Sequence, residues 1–442
     1  MNVLPLVKKL FPYAYSITGK GNDDSIEQYL SELPFTLHEY SSGQQLNGWH
    51  IPHAWQVEEC TIYKDNKLIY DAKLSPLGVG ILSPSFNGTL SLTELKAHLV
   101  SDDKLPEAIL YHWQNLYRPL DTDWAICMPH TLVEQLTEGD YKVTLTTSYQ
   151  TSTMKVLDFN LAGESNETII LNGHNCHPFQ ANDDISGCAV AIRVMQKLMV
   201  KKKCFYSYRI MIAPELHGPM FWLENINEST ALSIKGVVLL KSVGNQANMR
   251  LQHSYNGNSA IDNAATAALS QRYKSFESGE FRAIYGNDET IFEAPPYNIP
   301  TISLTRWPFA EYHSDLDTPE ILDEQSLQDS VDLVIDIIEQ LEIKKKRQSK
   351  YNQQYKINFK GLVCLSAYGL YKSIPAVNES GVDYSSLAGR WNRLMNCLPR
   401  EIDNSATVFE LSQKYHLPCN EIQSYLEQWV KKDLLIPIAT GE

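Results

Sequence analysis

No stretch of the 442-residue chain approaches the about 20 consecutive apolar residues that a membrane-spanning helix needs. The opening Met1-Asn-Val-Leu-Pro5 lacks the charged start and unbroken apolar core of a secretory leader. The eight cysteines are scattered, without the paired spacing of a zinc ribbon or a thioredoxin motif. A cytoplasmic protein with reduced thiols is therefore expected. Positive charge is also short. Thirty-eight Lys and Arg against 52 Asp and Glu leave a net charge of −14, which speaks against a surface built to grip nucleic acid or anionic membrane. Internal repeats and low-complexity tracts are missing too, so a solenoid or a disordered scaffold is excluded. What remains is a globular composition, long enough for two or three domains.

The densest chemistry lies in Leu171-Asn-Gly-His174-Asn-Cys176-His177-Pro-Phe-Gln-Ala-Asn182-Asp183-Asp184-Ile-Ser-Gly187. Thr168 to Leu171 before it reads as a buried parallel strand, and Cys188 to Met199 after it as a helix. The loop is thus a strand-to-helix crossover at the carboxyl end of a sheet, where open α/β folds place their sites. Imidazoles and carboxylates so close together suit zinc, because a buried cluster of them needs a cation or hydrogen bonds to offset desolvation.

Around this loop the chain predicts amphipathic helices over Val3–Phe11 and Asp24–Leu33 and a strand from Thr36. Short β-rich segments run from Trp49 to about Asp140, with one helix at Leu92–Leu99. Trp49, His50, His53 and Trp55 are read as aromatic packing and capping at a domain junction. Tyr141–Thr147 and Met154–Leu161 are expected to pair as a hairpin. Alternating strands and helices over 168–340 indicate an α/β layer with a largely parallel sheet. Glu342–Lys350 reads as a helix end and linker. Three helix-like segments and a terminal β-like piece then suit a winged helix. The expected architecture is a three-layer α/β/α domain over 1–47 and 141–345, a β-rich insert over 48–140, and a winged-helix domain over 351–442.

Three further stretches supply what a zinc hydrolase needs. Glu215 closes the apolar strand Arg209–Pro214, where a carboxylate can be desolvated enough to serve as general base. Asp288 and Glu289 follow the strand-like Phe281–Tyr285. Tyr312 and His313 sit between Glu311 and Asp315-Leu-Asp317, apt for a zinc ligand held by neighbouring carboxylates. In this order the motifs resemble the zinc aminopeptidases of the clan that includes glutaminyl cyclases. More closely, they resemble bacterial proteins with an aminopeptidase-like domain, a β-rich insertion and a C-terminal winged helix, often associated with surface polysaccharide gene sets. The shared residues are His174 to Pro178, Asn182-Asp183, Ser186-Gly187, Pro214-Glu215, Asn287-Asp288-Glu289 and Glu311-Tyr312-His313.

The resemblance makes Asp183 the central metal-binding carboxylate, His174 the first histidine ligand, His313 the last, and Glu215 the base. Cys176 stands where the wider family has an Asp, Leu216 replaces a ligand Glu, and no ligand Asp appears near Lys241. One zinc is therefore expected, with His177 able to fill a vacancy and the Lys241 ammonium repelling a second cation. Asp288, Glu289 and Tyr312 are the expected substrate-binding residues, the carboxylates for a substrate ammonium, and Asp317 the supporting carboxylate. The reading is a zinc hydrolase cleaving a peptide or amide bond beside a free amino group. The rival is a non-catalytic regulator whose winged helix binds DNA or a protein. From Tyr351 onward basic and acidic residues balance at nine each, so self-association or protein contact is expected there rather than nucleic acid.

Overall fold

The computed structural model describes residues 2–117, 122–201, 203–372, 377–378 and 381–438. It divides into two compact units, Met1–Leu341 and Glu342–Glu442. The first is built on eight strands: β1 (Thr36–Ser41), β2 (Thr153–Leu161), β3 (Thr168–His174), β4 (Ser207–Ala213), β5 (Ile234–Lys241), β6 (Met249–Gln252), β7 (Glu277–Gly279) and β8 (Thr301–Arg306). Their order in the sheet is β1-β2-β4-β3-β5-β8-β6-β7. The central β4-β3-β5-β8 strands are parallel, whereas β1, β2 and β6 run antiparallel to their inner neighbours.

Every residue of β3 is buried. That is why it reads as a continuous apolar run and not as an alternation: both faces of the sheet are covered. Ile169 and Leu171 join a core with the helices Leu4–Leu10, Ser186–Met199, Ala260–Arg272 and Glu324–Lys350, while Ile170 points into a second core with helix His217–Asn225. The fold is the expected mixed α/β layer structure. Its four parallel strands end on one edge, and the loops leaving them converge there.

Between β1 and β2 lies a separate antiparallel sheet in the order Lys67–Asp71, Ala54–Lys64, Asp140–Gln150, Phe86–Ser91. The expected hairpin is not formed. Asp140–Gln150 is paired on both sides within this sheet, whereas β2 pairs with β1 and β4. The reason is burial: Tyr141, Val143 and Leu145 fill the core of the insert, and Met154 and Val156 that of the main sheet. Phe281–Tyr285 is a turn and not a strand, and 342–350, expected as a helix end and linker, is helical to Lys350.

The second unit holds helices Leu387–Asp403, Val408–Tyr415 and Cys419–Lys431 and the antiparallel pair Tyr355–Ile357 with Leu435–Pro437. Leu394, Leu398, Leu411, Ile422 and Trp429 form its core. Thr407 and Glu410 close a capping box that starts the middle helix. Among the described residues no helix is long and apolar enough to cross a membrane.

Candidate metal centre

His174 is the last residue of β3, and the loop after it is fastened by carboxylates that face backbone N–H groups. Asp184 accepts from the amides of His174, Gly187 and Ser242 at 3.2, 3.2 and 3.1 Å. Asp317 accepts from Asn182 at 2.7 Å and from Asp183 at 3.0 Å. Gly187 is required at the helix start, because a Cβ there would lie 2.0 Å from the Leu240 carbonyl oxygen. These bonds aim the Asp183 side chain, which is fully buried, at the space between the strand ends.

Around Asp183 the four expected ligands separate into two sets. His177 Nε2 lies 3.6 Å and His313 Nε2 3.3 Å from Asp183 Oδ2. His174 Nε2 faces the other oxygen, Oδ1, at 3.2 Å. In the first set His177 Nδ1 contacts the Pro178 carbonyl at 2.9 Å, so in the neutral ring the proton sits on Nδ1 and the lone pair on Nε2. Two acceptors then confront each other. Both His177 Nε2 and Asp183 Oδ2 are buried without a hydrogen-bond partner. Burial holds the His313 imidazole down at about 4, so it too presents a lone pair near neutral pH. The ligand atoms of His177, Asp183 and His313 lie within 4.8 Å of one another. Two imidazoles and a carboxylate, with buried lone pairs lacking a donor, fit a zinc ion.

The second set is taken by Lys241, the last residue of β5. Its Nζ lies 2.7 Å from Asp183 Oδ1, 3.1 Å from His174 Nε2 and 3.9 Å from Glu215 Oε1. Burial opposes the ammonium charge, but Asp183 and Glu215 outweigh it and hold Lys241 well above the usual lysine range. The same balance, burial against Lys241 and His174, keeps Asp183 well below the usual carboxylate range.

Glu215 follows β4, and Leu216 after it adopts φ 58 and ψ −56, a conformation costly for a branched side chain. Asp288 holds that turn, accepting from the Leu216 amide at 2.6 Å and from Asn172 Nδ2 at 2.8 Å. Burial raises Asp288 to about 6 against these two donors. One of its oxygens is thus committed to the turn and the other to Asn172 of β3. Glu289, raised to about 7 by burial, meets Arg282 at 3.3 Å.

A cavity of about 530 Å³ opens over the cluster, with Cys176, His177, Glu215, Tyr312 and His313 in its wall. Asp288 and Glu289 are not among its lining residues, whereas Arg282 is. Asp317, expected beside His313, instead supports Asp183 through the backbone. The insert reaches the site as well: the Tyr111 amide donates to the His313 carbonyl at 2.8 Å, and its ring stacks on His177 at 4.3 Å. Tyr285 lies 4.6 Å beneath Lys241 and bonds Tyr312 at 2.6 Å between hydroxyls. Neither Tyr111 nor Tyr285 stood out in the sequence. Both lie in loops with no ligand spacing, and only an aromatic-rich turn could have drawn notice to them. Trp49 packs edge-on against Tyr117 and His217 beside the cavity, and His53 bonds Ser42.

The mixed sheet and the cluster on its parallel edge define an aminopeptidase-like hydrolase fold. A crystal structure of a candidate peptidase from Clostridium acetobutylicum is similar over 99% of this chain and 96% of its own, with a TM-score of 0.69 at 23% identity. A zinc aminopeptidase from Bacillus subtilis is similar over 76% of this chain and 93% of its own, with a TM-score of 0.58 at 12% identity. In sequence, a candidate polysaccharide biosynthesis protein with an aminopeptidase-like domain, also from Clostridium acetobutylicum, is 28% identical over 345 residues, covering 76% of this chain and 77% of that one. Residues 4–344 match the family described as Domain of unknown function (DUF4910), and the chain belongs to that family.

Proposed function

We propose that the chain is a zinc-dependent hydrolase of a peptide or amide bond, with His177, Asp183 and His313 as metal ligands and Glu215 as general base. The observation that carries this reading is the confrontation of two buried acceptors without partners, His177 Nε2 and Asp183 Oδ2, beside a cavity that Glu215 also lines. Zinc held by these three residues would polarise a carbonyl and make water a stronger acid at neutral pH. Glu215 then takes a proton from the attacking water and returns it to the leaving nitrogen. Tyr312 orients the substrate, and the rings of Tyr111 and Trp113 exclude bulk water from the same cavity.

Cleavage beside a free amino group draws its support from the fold shared with a zinc aminopeptidase, and a role in polysaccharide metabolism from the Clostridium acetobutylicum relative. An N-acyl amino sugar would use the same parts. The C-terminal unit is read as a winged helix for protein contact or self-association, in keeping with its balanced charge. A cytoplasmic site of action suits the free thiols.

The test is incubation of the purified protein, with and without added zinc, with aminoacyl and N-acyl amino sugar libraries. Zinc-dependent turnover of either class supports the reading. Absence of turnover on every member, metal or no metal, sinks it.

A further inference from the structure

We propose that Lys241 is a built-in cation occupying a second metal position of the centre, so that its ammonium does the electrostatic work of one of two metals. The inference rests on the proposed zinc site for the other half of the centre.

Lys241 Nζ has the contacts expected of a bound cation. It is fully buried at the end of β5, donates to Asp183 Oδ1 at 2.7 Å and His174 Nε2 at 3.1 Å, and lies 3.9 Å from Glu215 Oε1. The atoms next to it are themselves a ligand set, since donor atoms of His174, Cys176 and Glu215 lie within 4.8 Å of one another. His174 treats the ammonium as it would a metal. Its Nε2 faces Nζ at 3.1 Å and Asp183 Oδ1 at 3.2 Å, and in the tautomer protonated on Nδ1, 3.4 Å from Asp184 Oδ2, the Nε2 lone pair turns on Nζ. Asp183 then serves as a bridge, one oxygen to the lysine and the other to His177 and His313.

An ammonium differs from a second zinc in two ways. It carries one positive charge instead of two, and it has no empty orbital with which to activate water. Lys241 therefore acts as a positioning residue: it neutralises one side of Asp183 and fixes the charge next to Glu215, while the chemistry is left to one metal. A second divalent ion cannot enter while the ammonium fills the space and repels it.

The experiment counts zinc per chain in the full-length protein after dialysis with excess zinc, for wild type, Lys241→Ala and Lys241→Asp. Circular dichroism and thermal unfolding check that each variant is folded. One zinc in the wild type and two in the variants is the expected result, since loss of the ammonium uncovers His174 and Asp183 Oδ1, and the Asp adds a ligand. One zinc in both folded variants overturns the proposal. So does a second tightly held zinc in the wild type, a result that decides the matter even if neither variant folds. If the wild type holds none, the function proposed above fails, yet a variant that gains one zinc over the wild type still supports the role given to Lys241.

Discussion

Lys241 donates to one oxygen of Asp183 at 2.7 Å and thereby leaves the other oxygen of the same carboxylate to His177 and His313. A buried carboxylate divided in this way has half of its charge answered by the protein and half still unanswered. The unanswered half is where a cation gains most, because neither lone pair there has a donor.

The division places His177 and His313 together and sets apart His174, expected as the first histidine ligand. His177→Ala and His313→Ala should each lower zinc affinity by more than the roughly 10- to 100-fold that loss of an outer hydrogen-bond partner costs. His174→Ala should keep close to one zinc, because its ring faces the lysine. Metal analysis after dialysis against a mild chelator checks this. Full retention of zinc by His313→Ala would show the ligand assignment to be wrong.

Asp317 touches no proposed ligand side chain, yet both of its oxygens hold the backbone that aims Asp183. Burial pushes this carboxyl upward, against the two amide donors. Asp317→Ala should cost about 1–3 kcal/mol for each buried amide left without its acceptor and weaken zinc binding roughly 10- to 100-fold. Thermal unfolding and zinc titration read the two effects. A variant with wild-type zinc affinity would make Asp317 a purely structural residue.

The parallel sheet and the ligand loop were legible because both are local: an apolar run long enough for a strand, then His, Cys and Asp within one crossover. The partition of the ligands was not. It depends on Lys241, 58 residues beyond Asp183 in sequence (241 − 183), meeting that carboxylate across the ends of β3 and β5. Likewise Asp288 reads as an anchor for a substrate ammonium, but it also holds the strained Leu216, a constraint visible only once φ is known. The hairpin expected at 141–161 failed because alternation of apolar residues gives a strand's faces and not its partners.

Glu289 gives the protein a pH dependence of known sign. Its carboxyl is raised by burial from 4.5 to about 7, so between those values the folded chain keeps a proton that the unfolded chain has released. Its contribution to stability therefore falls as pH rises through this window and levels off above about 7. Glu289→Gln lacks this titration. The stability of the variant relative to wild type should grow from about pH 5 to about pH 8, by at most on the order of 3 kcal/mol. Thermal midpoints measured at both pH values decide it; a difference independent of pH would contradict the burial of an ionisable carboxyl.

Glu215 is the residue whose role can be isolated most cleanly. It lines the cavity, lies 3.9 Å from Lys241 and is one residue before Leu216, whose side chain offers no ligand atom. It belongs to the second set of donors, with His174 and Cys176, and not to the set of His177, Asp183 and His313. Removing its charge should therefore spare the metal. Glu215→Gln is nearly isosteric, and the Leu216 turn is held independently by Asp288, so the fold should be kept. The expected outcome is zinc near one equivalent with turnover lowered by about two orders of magnitude or more, as loss of a general base does. Metal analysis and steady-state kinetics on the same preparation test both halves. Loss of zinc in Glu215→Gln would make Glu215 a ligand, and unchanged turnover would leave the proton transfer to another group in the cavity.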